Sequence, residues 1–363
     1  MQCPLYPGEV LDTIADFPTL YHYEPARPST TDNATPKPLI VCVPGGLHLA
    51  RVFYGGHAGS KPADFLAHWL SDLGYGVLSL SYPLETEPAV MPVTGANYRI
   101  KDWGKQAART TAKVISEHDL PTRSVVLVSW SMGGRMVVPF NIAAKKLGLQ
   151  VVQYISFAAT PGFSSIRPLP PGISCSPAGY FQVPSHLGVF WQQLSEMQHL
   201  NGSREIISKE VYLREYVGGT PINLIGLRLK YDGHGTFVQD EVPHEEDSRV
   251  LDVANFPLIS ALFPTSSLDA SHALADRASW GFLLTYKLES MVGKQGIRRA
   301  QEASKWQQLM DLVHSAPQRL CTPVTGNHFF FIGEQSARNT ASKVDELISD
   351  ASKFQEELLE LVG

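Results

Sequence analysis

A serine stands where an apolar segment gives way to a segment rich in small residues. Ser131 follows the strand-like run Val125–Val128 and precedes Gly133 and Gly134, which open a predicted helix. A sharp turn from strand to helix projects the serine hydroxyl above the edge of a sheet, and small neighbours permit the tight packing that such a turn needs. A serine hydroxyl is a poor nucleophile until a base takes its proton. The segment therefore predicts a nucleophilic serine whose base lies elsewhere in the chain.

Residues 129–133, Ser-Trp-Ser-Met-Gly, resemble the nucleophile elbow of the α/β-hydrolase superfamily, which is usually written G-x-S-x-G. Ser129 replaces the first glycine, and serine is small enough for that position. The alternative is a serine in an ordinary strand-to-helix turn of another α/β fold. The resemblance implies that Ser131 is the nucleophile and that the N–H of Met132 stabilises the oxyanion.

A second segment, residues 44–47 (Pro-Gly-Gly-Leu), follows the apolar run Leu39–Val43. In the superfamily, the loop after an early strand supplies the second N–H of the oxyanion hole. By this resemblance the donor is Gly46 or Leu47. Pro44 occupies a position where histidine is frequent, so the sequence leaves the choice between the two open. A plain glycine turn is the alternative.

The histidine that the superfamily places after its last strand is matched by His328, in residues 326–329 (Gly-Asn-His-Phe). The order along the chain, with the nucleophile first and the histidine last, agrees with the superfamily. The chain has 12 histidines, and His328 alone combines this order with these neighbours. The alternative is a structural histidine beside the aromatic run Phe329–Phe331. The resemblance implies that His328 is the general base.

The acid that should orient this histidine is expected just after a late strand. Ile222–Leu229 is predicted to be that strand, and Asp232 follows it in a turn-like segment, so Asp232 is the predicted acid. Four other carboxylates of the following insertion are kept as alternatives: Asp247, Asp252, Asp269 and Asp276.

Predicted strands and helices alternate through the first half of the chain. Short β-branched runs bounded by glycine or proline predict buried strands, and apolar residues at helical spacing predict helices between them. Such alternation is typical of a parallel sheet covered on both faces. We therefore predict an α/β protein with the α/β-hydrolase fold, a mostly parallel central sheet flanked by helices, and helical cap insertions. The predicted divisions are an N-terminal extension (1–36), a core (37–160 and 220–363) with a further insertion (about 233–317), and a cap (161–219).

The two irregular regions resemble the insertions that roof the active site in this superfamily. Their aromatic side chains suit an apolar substrate pocket, although they could equally form the small cores that insertions need. We predict that three residues contact the substrate: His48, Trp130 and Trp191.

Composition narrows the classes of partner. The net charge of −5 and the scattered basic residues give no reason to expect nucleic acid or an anionic membrane. The four cysteines lie far apart, so neither a zinc site nor a disulfide framework is indicated. No secretion signal or long apolar run is visible, which predicts a cytoplasmic protein.

Together these patterns predict a serine hydrolase that cleaves an ester, thioester or lactone of a fairly apolar small molecule through an acyl-enzyme. Neither a metal nor an organic cofactor is required. Two alternatives are an acyltransferase and an enzyme that cleaves or cyclises carbon–carbon bonds on the same scaffold. A third is a ligand-binding protein of this fold without turnover. The oligomeric state is left open.

Overall fold

The structure, a computed structural model, describes residues 5–27, 36–164 and 172–363. The predicted N-terminal extension and the predicted cap therefore lie partly outside the described residues. Among the described residues, no helix combines the length and the apolar character needed to cross a membrane.

A mixed sheet of eight strands, β1 to β8, runs through the molecule. In chain order its strands are Glu9–Ile14, Phe17–Glu24, Leu39–Val43, Val77–Ser81, Ser124–Trp130, Gln150–Phe157, Leu258–Pro264 and Cys321–Val324. Their order in space is β1-β2-β4-β3-β5-β6-β7-β8. The strands from β3 to β8 pair in parallel, whereas β2 is antiparallel to both β1 and β4. The predicted mostly parallel sheet is confirmed.

Ten helices, α1 to α10, accompany the sheet in the described part of the chain. Their bounds are Arg51–Tyr54, Leu66–Asp72, Ile100–Glu117, Val137–Lys146, Pro184–Leu200, Lys209–Glu215, His244–Ser248, Ala270–Glu302 (interrupted at Gly293), Trp306–Leu320 and Glu334–Val362. Alternate residues of β3 enter two hydrophobic cores, one on each face of the sheet: Val41 packs with α3, α4 and α8, while Ile40 and Cys42 pack with α1 and α2. All five residues of β3 are buried, as expected of a parallel strand covered on both faces.

The segment predicted as an N-terminal extension contributes two strands to this sheet. β2 pairs with β4, and its residue Leu20 is fully buried in one of the cores. Residues 9–24 are therefore part of the central sheet.

The strand predicted at Ile222–Leu229 is wrong. Residues Ile222–Ile225 form a 3₁₀ turn, Gly226 adopts a left-handed conformation with φ 79°, and only Leu229–Tyr231 is extended, in a small hairpin with Phe237–Gln239. The strand that continues the sheet is β7, which lies within the segment predicted as a further insertion. The apolar character of residues 222–225 instead reflects burial of Ile222 and Leu224.

The region before this turn forms a small unit beside the sheet. A three-stranded sheet (Ser174–Cys175, Tyr180–Gln182 and Thr220–Pro221) accompanies α5 and α6. It meets the loops that follow β3 and β4 through bridges between His48 and Val217 and between Glu85 and Gly219. These contacts place the unit near the carboxyl ends of the central strands.

Candidate active site

Ser131 lies in a strained turn between β5 and a short 3₁₀ helix, Ser131–Met136, that leads into α4. Its φ is 54°, in the left-handed region that residues with a side chain seldom occupy. The backbone N–H of Thr160 donates to the Ser131 carbonyl at 2.8 Å and helps to hold this conformation. Such strain persists where the surrounding structure imposes it, and it is common at functional sites.

Small residues let the turn pack tightly. A Cβ added to Gly45 would lie 2.6 Å from Ser131 Cβ, and one added to Gly133 would lie 3.0 Å from Ser129 Cβ. Ser129, which replaces the first glycine of the motif, is accommodated because its hydroxyl shares a hydrogen bond of 2.9 Å with Tyr154. The close approach at Gly45 also places the loop after β3 directly against the serine.

His328 follows β8 and pairs with a carboxylate. Its Nδ1 donates to Oδ2 of Asp269 at 2.8 Å, and both side chains are buried. Asp269 ends a 3₁₀ turn, Ser267–Asp269, that follows β7. The indole N–H of Trp130 donates to the His328 carbonyl at 2.8 Å. The structure thus fixes both the ring and the backbone of this histidine.

The structure pairs His328 with Asp269 and not with Asp232, the acid expected from the sequence. Asp232 lies in the exposed turn of the hairpin after residue 229, where its Oδ1 accepts from the N–H groups of His234 and Thr236. These backbone hydrogen bonds lower the pKa of the Asp232 carboxyl. The other carboxylates that were kept as alternatives pair elsewhere: Asp247 with Arg99 and the N–H of Ile100, Asp252 with Arg249, and Asp276 with His272. Asp269 alone of the five is hydrogen-bonded to His328 in the described part of the chain.

Helix α5 braces the two loops that carry Asp269 and His328. The Glu196 carboxylate accepts from the Ser266 hydroxyl at 2.9 and 3.0 Å and from the Asn327 amide at 2.6 Å. One turn earlier on the helix, the Gln193 amide donates to the Leu268 carbonyl at 2.8 Å. Asp269 and His328 are therefore positioned by a shared support.

The loop after β3 has its peptide groups held in fixed directions. The hydroxyl of Tyr82 donates to the carbonyl of Gly45 at 2.9 Å. Because C=O and N–H point in opposite directions across a trans peptide, the N–H of Gly46 points away from Tyr82. The same reasoning applies to the Ser131 carbonyl, which is held by Thr160, and to the N–H of Met132. A Cβ on Gly46 would lie 3.4 Å from Met132 Sδ, so these two residues are neighbours.

The C=O and N–H of the next peptide, between Gly46 and Leu47, both form hydrogen bonds within the protein. The N–H of Leu47 donates to the Thr220 hydroxyl at 2.7 Å, and Nδ1 of His48 donates to the Gly46 carbonyl at 2.8 Å. Of the two donors that the sequence left open, Gly46 is therefore the better placed.

The remaining predicted substrate contacts lie behind the site. His48 is fully buried, and its Nε2 accepts from the Tyr212 hydroxyl at 2.7 Å. Burial lowers the pKa of His48 to about 3, which keeps the ring neutral. Trp130 is fully buried, and Trp191 packs against Tyr212 with ring centres 6.1 Å apart. The described residues that line the cavity at Ser131 include none of these three.

That cavity has a volume of about 500 Å³ and is lined by Ser131, Asp269 and His328 together with Gly46 and Met132. Its apolar lining comes mainly from the cap and the segments around it: Phe181, Val189, Phe190, Ile225, Leu227 and Leu268. Of the aromatic residues in the two irregular regions of the sequence, Phe181 and Phe190 line this cavity, whereas Trp280 and Tyr180 are fully buried elsewhere.

His272 and Arg135 are among the lining residues that were not predicted. His272 lies near the start of α8 with its ring centre 5.0 Å from that of His328, and its Nδ1 donates to the carboxylate of Asp276. Arg135 follows Ser131 by four residues and donates to the Leu224 carbonyl at 2.7 Å. The spacing of Asp269, His272 and Asp276 is helical and could have indicated one shared face.

The strand order, the antiparallel second strand, the serine on a left-handed turn after β5 and the histidine after the last strand define the α/β-hydrolase fold. The predicted fold class is confirmed.

No protein-family model and no curated protein sequence matches the chain.

Several solved structures are similar in overall course. A provisionally assigned lipase from Sulfolobus solfataricus is 11% identical over 96% of this chain and 97% of its own, with a TM-score of 0.49. An esterase from Pyrobaculum calidifontis is 14% identical over 95% and 84%, with a TM-score of 0.45. A thioesterase domain from the curacin biosynthetic pathway is 14% identical over 93% and 98%, with a TM-score of 0.39.

Proposed function

We propose that this protein is a serine hydrolase that cleaves an ester, thioester or lactone of a fairly apolar small molecule through an acyl-enzyme. The observation that carries the proposal is the meeting of three residues at one cavity: Ser131 on its strained turn, and His328 hydrogen-bonded to Asp269 at 2.8 Å. A nucleophile, a base and an acid in this order are the parts that acyl transfer requires.

In the proposed reaction, Ser131 Oγ attacks the carbonyl carbon while Nε2 of His328 takes its proton. Asp269 holds the Nδ1–H of the imidazole and stabilises the imidazolium. The N–H groups of Gly46 and Met132 donate to the developing oxyanion. His328 then gives its proton to the leaving oxygen or sulfur, and a water activated in the same way releases the acyl group.

The lining of the cavity supports an acyl group with apolar bulk. Phe181, Phe190 and Leu268 are among its apolar residues, and about 500 Å³ exceeds the needs of an acetyl group. Each buried methylene contributes about 0.8 kcal/mol, which is roughly fourfold in affinity. We expect kcat/KM for 4-nitrophenyl esters to rise from acetyl to hexanoyl.

The proposal is tested with a fluorophosphonate probe on the full chain. We expect one covalent adduct per protein, located by peptide mass spectrometry at Ser131. Labelling should be lost in Ser131→Ala and kept in Ser116→Ala, since Ser116 is exposed on α3. A folded protein labelled at another serine, or not labelled at all, would contradict the proposal. Ligand binding that is equal in the parent and in Ser131→Ala, without turnover, would favour a binding protein instead.

A further inference from the structure

A second imidazole–carboxylate pair lies beside the first. Nδ1 of His272 donates to the two carboxylate oxygens of Asp276 at 2.9 and 3.0 Å, and both side chains are buried. His272 shares the cavity with Ser131 and His328. The reaction proposed above gives this pair no role.

His272 completes a set of three potential metal ligands. Asp269, His272 and His328 are all buried, and one ligand atom from each lies within 4.8 Å of the other two. Two imidazoles with one carboxylate form a zinc-type set, whereas Mg²⁺ and Ca²⁺ prefer oxygen ligands throughout. In a tetrahedral zinc site with Zn–N of about 2.0–2.1 Å, ligand atoms are about 3.3 Å apart. No pair of these ligand atoms therefore needs to approach by more than about 1.5 Å to hold the ion.

Helix α8 organises this set. Asp269 immediately precedes the helix and His272 lies three residues later, so the two side chains share a face. Zinc-ligating histidines generally donate their other ring N–H to a carboxylate, which orients the ring. Asp276 contacts His272 Nδ1 in this way, and His272 Nε2 is then the ligand atom.

We propose that Zn²⁺ binds to Asp269, His272 and His328, and that the ion inhibits the enzyme. Asp276 acts as a positioning residue through His272. The inhibition rests on the proposed function, because an imidazole bound to zinc cannot accept the proton of Ser131. The binding itself does not depend on the proposed function.

Binding is measured by calorimetric titration of the full chain with Zn²⁺ at neutral pH. We expect a single site that is weakened at least about tenfold in His272→Ala and by about 10- to 100-fold in Asp276→Asn. His186→Ala is the matched control, because His186 lines the same cavity outside the ligand set. His272→Gln repeats the test with a side chain of similar size if the alanine variant does not fold. Affinity that is unchanged in the folded His272 variants overturns the site.

Inhibition is measured as the rate of fluorophosphonate labelling with and without Zn²⁺. Saturating Zn²⁺ should slow the labelling of the parent at least about tenfold, EDTA should restore it, and His272→Gln should resist the ion. Labelling that saturating Zn²⁺ leaves unchanged overturns the inhibition. A protein that is never labelled, even without metal, contradicts the proposed function instead, and calorimetry still decides whether zinc binds.

Discussion

The hydroxyl of Tyr82 donates to the carbonyl of Gly45 at 2.9 Å, and this bond sets the direction of the Gly46 N–H. The N–H of Thr160 holds the Ser131 carbonyl at 2.8 Å and sets the Met132 N–H in the same way. Both donors of the proposed oxyanion hole are thus oriented through the opposite ends of their own peptides.

Removing the Tyr82 hydroxyl tests this orientation. Tyr82→Phe should lower kcat for a 4-nitrophenyl ester by about tenfold or more, because loss of a whole oxyanion donor costs about 10²–10³ and this change only loosens one. Tyr98→Phe is the control: it removes an equally buried hydroxyl that donates to Gln106. Equal losses of kcat in the two variants would show a general effect on folding.

Replacing each of the two candidate acids by its amide should show which of them, Asp269 or Asp232, acts with His328. Asp269→Asn should lower kcat by about 10⁴, because the amide favours the wrong tautomer of His328. Asp232→Asn should leave kcat unchanged, since that carboxylate lies in an exposed turn. Steady-state kinetics on both folded variants measures the difference, and a larger loss in the Asp232 variant would reverse the assignment.

Low pH should destabilise the protein because His48 takes up a proton when the chain unfolds. Burial lowers the pKa of His48 to about 3 from an ordinary value of 6.5. Between these values the unfolded chain binds a proton that the folded protein does not, so the free energy of unfolding falls as pH falls, by about 1.4 kcal/mol per pH unit. His244, whose pKa burial also lowers to about 3, adds a contribution of the same sign.

Urea unfolding near pH 6.5 and near pH 5 measures this effect. His48→Gln should make the loss of stability between these pH values smaller by about 2 kcal/mol, since glutamine does not titrate. His199→Gln, an exposed change on α5, should keep the slope of the parent. A slope unaltered by His48→Gln would mean that His48 is protonated in the folded protein.

A buried ion pair ties the predicted N-terminal extension to the helix after the oxyanion loop. Arg51 on α1 donates to both oxygens of Glu9 on β1 at 2.7 and 2.8 Å, and both side chains are fully buried. Glu9→Gln should lower the free energy of unfolding by about 3–5 kcal/mol, because it removes the carboxylate charge with which the buried guanidinium is paired. Glu302→Gln, in an exposed pair with Arg298, should cost less than about 1 kcal/mol in the same urea titration.

A methyl group on Gly45 should displace Ser131, the proposed nucleophile. Its Cβ would lie 2.6 Å from that of Ser131, so Gly45→Ala should reduce the rate of fluorophosphonate labelling. Expressed as a free energy, this loss of rate should exceed the loss in the free energy of unfolding. Gly188→Ala on α5 is the matched control, because no atom lies within 4 Å of the added carbon. That change should stabilise the helix by about 0.8–1 kcal/mol. Normal labelling of Gly45→Ala would show that the turn has room to adapt.

Much of the fold could be predicted because its strands are short apolar runs that can be recognised from neighbouring residues in the sequence. The run Leu39–Val43 is predicted with the bounds that the structure has. The serine turn depends on small residues next to each other in sequence, and His328 follows a short strand, so both positions were accessible from local pattern and resemblance.

The pairing of Asp269 with His328 could not be predicted in the same way, because two apolar runs both matched the pattern expected of the late strand. Ile222–Leu229 has the composition of a buried strand, but Pro221 and the left-handed Gly226 make it a turn. That turn buries Ile222 beside Phe181 and Leu224 in the core of the sheet. The run that joins the sheet, Leu258–Pro264, is equally apolar and bounded by prolines. Composition alone does not distinguish them, because the choice depends on pairing with β6 across about a hundred residues. The contact between His272 and His328 also joins residues that are far apart in sequence, so local pattern could not predict it.

Glu196 on α5 accepts hydrogen bonds from the loop of the acid and from the loop of the histidine. The same helix contributes Phe190 to the wall of the cavity. If the proposed function is correct, substrate range and catalysis therefore depend on the same helix. Directed evolution aimed at new substrates has room at the wall-facing positions of α5, whereas an exchange of the whole helix removes the support on which the meeting of Asp269 and His328 depends.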